Sequence, residues 1–161
     1  MNVSEYNQCV DDFSDGLYRF IVKHTRDSEK ARDVVQESFA KLWQKVDEVD
    51  FAKSKSYLFS TGYHTMIDQI RKEKRRDTYE SDHRGLTHSE NDYSDLNEIL
   101  HEALDKLTEV QKSVVLLRDY EGYSYQEIGE ITNLNESQVK VYIYRARLAL
   151  KEYLVSIDYV I

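Results

Sequence analysis

Two short stretches carry the chemistry this sequence can do. RKEKRR, Arg71 to Arg76, sets five positive charges against one negative, and Tyr57, Phe59, Tyr63 and His64 precede it on the same predicted helix. A charge run alone is most often a solvated helix end. Rings interleaved with Lys and Arg are different, because rings stack on unpaired bases while the cations hold the backbone of a single strand. Tyr63 and His64 are expected to be the exposed pair, with the other rings shared between surface and a core of Leu58, Met66, Ile67 and Ile70. The second stretch, YSYQEIGEITNLNESQVKVYIYRARLALKEYL, begins at Tyr123 and reads as two helices with a tight corner. Gly129 takes the small-residue place where two such helices cross, Asn133 takes the turn, and Ile128, Ile131, Leu134, Val139 and Ile143 are apolar where a helix-turn-helix buries its inner face. The second helix then offers Glu136, Ser137, Gln138, Lys140, Val141 and Tyr142 to a major groove, with Arg145, Arg147 and Lys151 behind them for phosphates. The bland alternative for this stretch is a helical hairpin with a solvated basic face.

Nothing in the chain suggests catalysis. There is no glycine-rich phosphate loop, nucleophile elbow or paired-carboxylate motif. The five histidines (His24, His64, His83, His88, His101) have no partner at metal-ligand spacing, and Cys9 is the only cysteine, so neither a disulfide nor a thiolate zinc site is expected. No cofactor or metal is expected. The start, MNVSEYNQCVDDF, has no basic n-region or apolar stretch, and no window approaches the roughly 18 apolar residues of a spanning helix. The expectation is a cytoplasmic protein without membrane insertion.

The elements that must position these residues are helical. The 161 residues include no proline and only five glycines, which argues against sandwiches and barrels and for an all-α fold. Three capping boxes mark helix starts in the final third: Thr108 with Gln111, Ser124 with Glu127, and Asn135 with Gln138, with Gly122 ending the first of these helices. SEKARDVVQESFAKLWQKV, from Ser28 to Val46, carries Ala31, Val35, Phe39, Leu42, Trp43 and Val46 on one stripe. LYRFIV (Leu17 to Val22) belongs to a shorter helix upstream, and another starts near Ser54 to Ser56 and runs to about Arg76. DTYESDHRGLTHSENDYSD, Asp77 to Asp95, is polar and without period, and reads as a flexible interdomain linker. The organisation is thus two small helical domains, 1–76 and 96–161, joined by the linker 77–95.

These blocks, in this order, resemble the extracytoplasmic-function (ECF) subfamily of bacterial RNA polymerase sigma factors over nearly the whole chain. SEKARDVVQESFAKLWQKV is similar to the segment that grips the polymerase, YLFSTGYHTMIDQIRKEKRR to the promoter-melting helix, and LTEVQKSVVLLRDYEGYSYQEIGEITNLNESQVKVYIYRARLALK to the carboxyl-terminal domain. The resemblance implies a sigma factor that binds core RNA polymerase and directs promoter-specific initiation. Asp33, Val34, Val35, Gln36, Glu37, Phe39, Leu42 and Trp43 would meet the polymerase clamp. The loop from Asp47 to Lys53 would help read the opened -10 element, and the melting set would be Phe51, Lys53, Tyr57, Tyr63, His64, Arg71, Lys72, Lys74, Arg75 and Arg76. Ser124, Glu136, Ser137, Gln138, Lys140, Val141, Tyr142, Arg145 and Arg147 would read the duplex -35 element. An anti-sigma factor, usually membrane-anchored, is the implied regulatory partner. The chain departs from the family at Tyr63-His64, where Arg-Asn is frequent, and at Tyr142, where an arginine is common.

Charge fits delivery by a partner. The formal net charge is -8, with Lys plus Arg against Asp plus Glu at 14 to 15 in residues 1–80, 1 to 4 in 81–95 and 7 to 11 in 96–161. Counterion release would therefore drive free duplex binding only weakly. Two other readings stay open on sequence: a stand-alone helix-turn-helix regulator whose first half senses a signal or dimerises, and a helical adaptor that binds no DNA.

Overall fold

A computed structural model describes residues 1–79 and 95–158, which form seven α-helices and no strands. The amino-terminal half comprises α1 (Val3–Thr25), α2 (Ser28–Gln44), a 3-10 turn (Phe51–Lys53) and α3 (Ser54–Tyr79). The carboxyl-terminal half comprises α4 (Asp95–Asp105), α5 (Glu109–Val115), a π turn (Leu116–Tyr120), α6 (Tyr125–Thr132) and α7 (Glu136–Asp158).

Helix ends are set by local chemistry. All three expected capping boxes form, with the backbone N–H of Gln111, Glu127 and Gln138 donating to Thr108, Ser124 and Asn135 at 3.2, 3.1 and 2.8 Å. A fourth box, Asn2 with Glu5, starts α1. That helix runs far upstream of the short one expected at Leu17, because Tyr6, Cys9, Phe13, Leu17, Phe20 and His24 continue one face at steps of three and four. Arg26 ends α1 in the left-handed region (φ 57°), and Asp27 at once caps α2 by accepting from the N–H of Glu29 and Lys30, both at 3.1 Å. Gly122 (φ 76°) closes the π turn, and Asn133 (φ 61°) makes the corner between α6 and α7. At the far end α3 continues to Tyr79, so Asp77 to Tyr79 extend the helix, while residues 80–94 of the expected linker lie outside the described residues.

The two halves share one core. Leu17, Phe20, Ile21 and Val34 from the first pack in a single cluster with Val114, Leu117, Ile128, Val139 and Ile143 from the second. The sequence signals only independent helices and a tether, because contacts between distant segments leave no local pattern. At the seam α3 lies against α6. The Phe59 and Tyr123 rings meet edge to face at 5.1 Å, and the buried Lys112 ammonium donates to the His24 carbonyl at 2.8 Å and to Asp105 at 3.0 Å. A satellite core of Cys9, Phe39, Leu42 and Leu58 sits at the other end of the first half.

His24 gives the seam a pH dependence. It is 3% exposed, its Nε2 lies 3.3 Å from the Glu109 carbonyl and must carry the proton, and its Nδ1 has no hydrogen-bond partner among the described residues. Burial, reinforced by the Lys112 ammonium, pushes its pKa down to about 4. Between the ordinary value of about 6.5 and that lowered one, the unfolded chain takes up a proton that the fold refuses. Stability therefore falls as pH drops through this window, by on the order of 3 kcal/mol in all. Urea midpoints from pH 7 to pH 4.5 are expected to show a downward slope that flattens in His24→Gln, which retains a donor for Glu109.

Candidate nucleic-acid interface

In the first half the surface is built on α3 and the loop before it. Lys45 closes α2 by donating back to Lys41 and Leu42, Met1 N donates to the Val46 carbonyl at 2.7 Å, and Ser54 Oγ donates to the Phe51 carbonyl at 2.6 Å. An open groove of about 900 Å³ results, lined by Lys41, Asp50, Lys53, Tyr57 and His64 and, from α6, by Glu130. Phe51, Lys53 and His64 are exposed and Tyr57 is half-buried. His64 is oriented by its Nδ1–H, which donates to the Ser60 carbonyl at 2.7 Å.

Tyr63 corrects the expectation of an exposed pair. It is only 6% exposed, because on a helix it falls on the face that carries Phe59, Met66 and Ile67 into the core. Burial pushes its phenol above the ordinary value, and its ring meets His64 edge-on at 5.1 Å. His64 alone of the two faces solvent. Farther along, Arg71, Lys72, Lys74, Arg75 and Arg76 are all exposed, and Lys74 pairs with Glu109 of α5 at 2.6 Å. Sequence reasoning passed over Lys55, whose ammonium lies 4.1 Å from the Tyr123 ring centre and 3.0 Å from Glu127. The alternation of cation and ring that marks Lys53 and Tyr57 also includes it.

The outer face of α2 differs from the apolar stripe expected there. Val34 and Leu42 are fully buried, Phe39 nearly so and Val35 half-buried, since this stripe is the seat of α2 on α1 and α3. These four are taken up by packing within the chain. Asp33, Gln36, Glu37 and Trp43 remain outside. Trp43 is 48% exposed and is braced by the Tyr6 ring at 5.0 Å, while the Tyr6 hydroxyl donates to the Phe39 carbonyl at 3.0 Å. An exposed indole held against a neighbouring ring suits protein contact, because less side-chain freedom is left to lose on binding.

In the second half, α6 and α7 cross as the helix-turn-helix reading requires. Leu134 N donates to the Gly129 carbonyl at 3.0 Å, and a Cβ on Gly129 would lie 2.6 Å from the Leu134 carbonyl oxygen. Glu136, Ser137, Gln138, Lys140, Val141 and Arg145 are exposed along one side of α7. Ser124 is exposed, but its hydroxyl is occupied as the cap of α6. Tyr142 is half-buried against the core, because it neighbours Val139, Ile143 and Ala146 on the inner face. Arg147 is exposed but clamped by both oxygens of Asp119 on the π turn, at 2.5 and 3.1 Å. It therefore fastens α7 to the body of this half. Tyr144 and Leu148 also lie exposed on α7.

Among the described residues no group of three His, Cys, Asp or Glu could hold a metal ion, and no helix is long and apolar enough to cross a membrane.

Comparison with known proteins gives these surfaces a context. Residues 9–76 match the family model for sigma-70 region 2, and residues 97–150 match that for sigma-70 region 4. The chain is 34% identical over 144 residues to the RNA polymerase sigma factor SigV of Bacillus subtilis, covering 86% of this chain and 84% of that protein. It is 27% identical over 156 residues to the ECF RNA polymerase sigma factor SigM of the same organism, covering 94% of each. Among solved structures, the sigma factor RpoE of Bartonella quintana, crystallised in complex with the anti-sigma factor NepR, is similar with a TM-score of 0.79 and 25% identity over 94% of this chain and 98% of that one.

Proposed function

This chain belongs to the sigma-70 family of RNA polymerase sigma factors, in its extracytoplasmic-function branch, and from that membership we propose how its surfaces divide the work of initiation. It is a sigma factor that binds core RNA polymerase and promoter DNA and directs transcription initiation. Residues 1–76 dock on the polymerase through Asp33, Gln36, Glu37 and Trp43 and take the opened -10 strand along the groove between the 45–53 loop and α3. Residues 96–161 present α7 to the -35 duplex, and the segment 77–95 sets the distance between the two. Catalysis belongs to the polymerase, and this chain contributes binding and strand capture in the cytoplasm, where its partner works. The neighbour in complex with an anti-sigma factor supports an anti-sigma partner here as well.

One observation carries this reading: region 2 and region 4 match one after the other along a single chain. No feature favours a stand-alone regulator, whose first half would have no reason to match the polymerase-binding region.

The test is transcription in vitro with core polymerase and a promoter library. Wild type should select promoters with a common pair of elements. Lys140→Ala with Arg145→Ala should lower initiation at them by roughly tenfold or more, at about 1 kcal/mol for each lost contact, without altering polymerase binding. Initiation that ignores the double substitution would remove α7 from promoter reading.

A further inference from the structure

The outward line of α7 is apolar where a duplex-reading helix is expected to be polar. Val141 is 44% exposed, Tyr144 68% and Leu148 44%, at steps of three and four that keep them on one side of the helix. That side is opposite Val139, Ile143 and Ala146, which seat α7 in the core. Lys140 on one flank of the line and Arg145 on the other are also exposed.

The polar groups nearby are already engaged. Gln138 Oε1 accepts from the Asn135 N–H at 3.0 Å as half of the capping box. Glu136 and Lys140 pair within the helix at 3.6 Å, and the Lys140 ammonium lies 5.6 Å from the Tyr125 ring centre. Arg147 is held by Asp119. No arginine occurs between Glu136 and Tyr144. The forked donors and free carboxamides that read guanine and adenine edges are thus missing from the first turns of α7, the part of such a helix that meets base edges.

Apolar surface reads one feature of the major groove, the C5-methyl group of thymine, which the other three bases lack. Val141 and Tyr144 fall within ~13 Å of the start of α7 at 1.5 Å per residue, against a groove about 12 Å wide. Leu148 lies one turn farther along, beyond that width. Resting on the assignment of α7 to the -35 duplex, we propose that Val141 and Tyr144 determine specificity at that element by packing on the methyl groups of two thymines in A·T pairs. Discrimination is then apolar, while Lys140 and Arg145 supply ionic attachment on either side. Cations on both flanks suit a duplex better than the centre of a protein interface, where charged residues are depleted.

The experiment uses the holoenzyme, formed with core polymerase, and the promoter it selects from the library. Two duplexes compete for it, the natural promoter and one with deoxyuridine in place of every thymidine of the -35 element. The exchange removes the methyl groups and leaves each base pair intact. Wild type is expected to prefer the thymidine duplex by roughly tenfold, about threefold for each methyl group withdrawn from water. In Val141→Ala with Tyr144→Ala the preference should shrink to roughly twofold or less, and circular dichroism should be unchanged because both side chains are exposed. Any effect of deoxyuridine on duplex shape is common to both proteins and cancels in the comparison. A -35 element without A·T pairs, no preference in wild type, or a preference that survives the double substitution would overturn the proposal. So would failure of that variant to co-purify with polymerase, which would make the line a protein-docking surface. Unaltered initiation by Lys140→Ala with Arg145→Ala would instead overturn the assignment of α7 to the duplex, and the proposal with it.

Discussion

Gly129→Val is expected to dismantle the helix-turn-helix and abolish initiation from promoters that depend on it. Helix propensity alone points the other way, since glycine within a helix costs up to about 1 kcal/mol relative to alanine. The clash decides the sign. Any Cβ at this position sits 2.6 Å from the Leu134 carbonyl oxygen, a backbone atom that no rotamer change can move, with the Leu134 carbonyl carbon at 3.7 Å and Val139 Cγ2 at 3.8 Å. The corner has little freedom to give way. Asn133 holds its left-handed conformation, Leu134 N is bonded to the Gly129 carbonyl, and the capping box at Asn135 and Gln138 fixes where α7 begins. Relief must come from tilting α7 off α6, which unseats Ile128, Ile131, Val139 and Ile143 together. Overpacking of this kind costs about 3 kcal/mol, and the two methyl groups of valine extend the clash beyond the Cβ itself. Urea denaturation should show the midpoint falling by that equivalent, with Gly129→Ala in between. Transcription from a -35-dependent promoter should fall by far more than tenfold, because α7 is misaligned even where it remains helical.

That residue was also among the most legible in the sequence, for a physical reason. Capping boxes, a small residue and a turn residue are local signals, and the corner from Ser124 to Gln138 is made of nothing else. Local signals of the same kind mark α2, α3 and the starts of α5 and α7. They fall short where a helix has a phase that composition does not reveal. On α3, Tyr63 and His64 look equivalent as neighbours of a basic run, yet one helical step of 100° sends the first into the core and the second to solvent. The spacing Phe59, Tyr63, Met66, Ile67 contained that answer. On α2, Val34 and Ser38 join the buried face while Trp43 leaves it, since the seat on α1 and α3 is set by partners a stretch of sequence does not name. The amino-terminal part of α1 was hidden by its acidic residues, although its apolar positions keep the helical step. Least legible was the seam. Its core and its ion pairs, Arg19–Glu121 and Lys74–Glu109 among them, join residues 17 to 74 with residues 104 to 146, and no local pattern encodes such contacts.

The docking proposed for α2 has the largest consequence for function, because a sigma factor unable to hold core polymerase performs none of its later steps. Asp33 and Glu37 lie one turn apart on the exposed side of α2, and they line no part of the core. Reversing both charges sacrifices only the exposed Glu37–Lys41 pair within the helix, worth about 0.5 kcal/mol or less. Against a partner surface complementary to carboxylates, two like-charge encounters cost several kcal/mol, or an affinity loss of roughly 100-fold or more. The decisive measurement is therefore a stoichiometric pull-down with core RNA polymerase, paired with start-site mapping, on Asp33→Lys with Glu37→Lys. A chain with native helicity that no longer co-purifies with polymerase or selects its promoters is the expected result. Undiminished association and unchanged start sites would contradict the docking of this protein through α2.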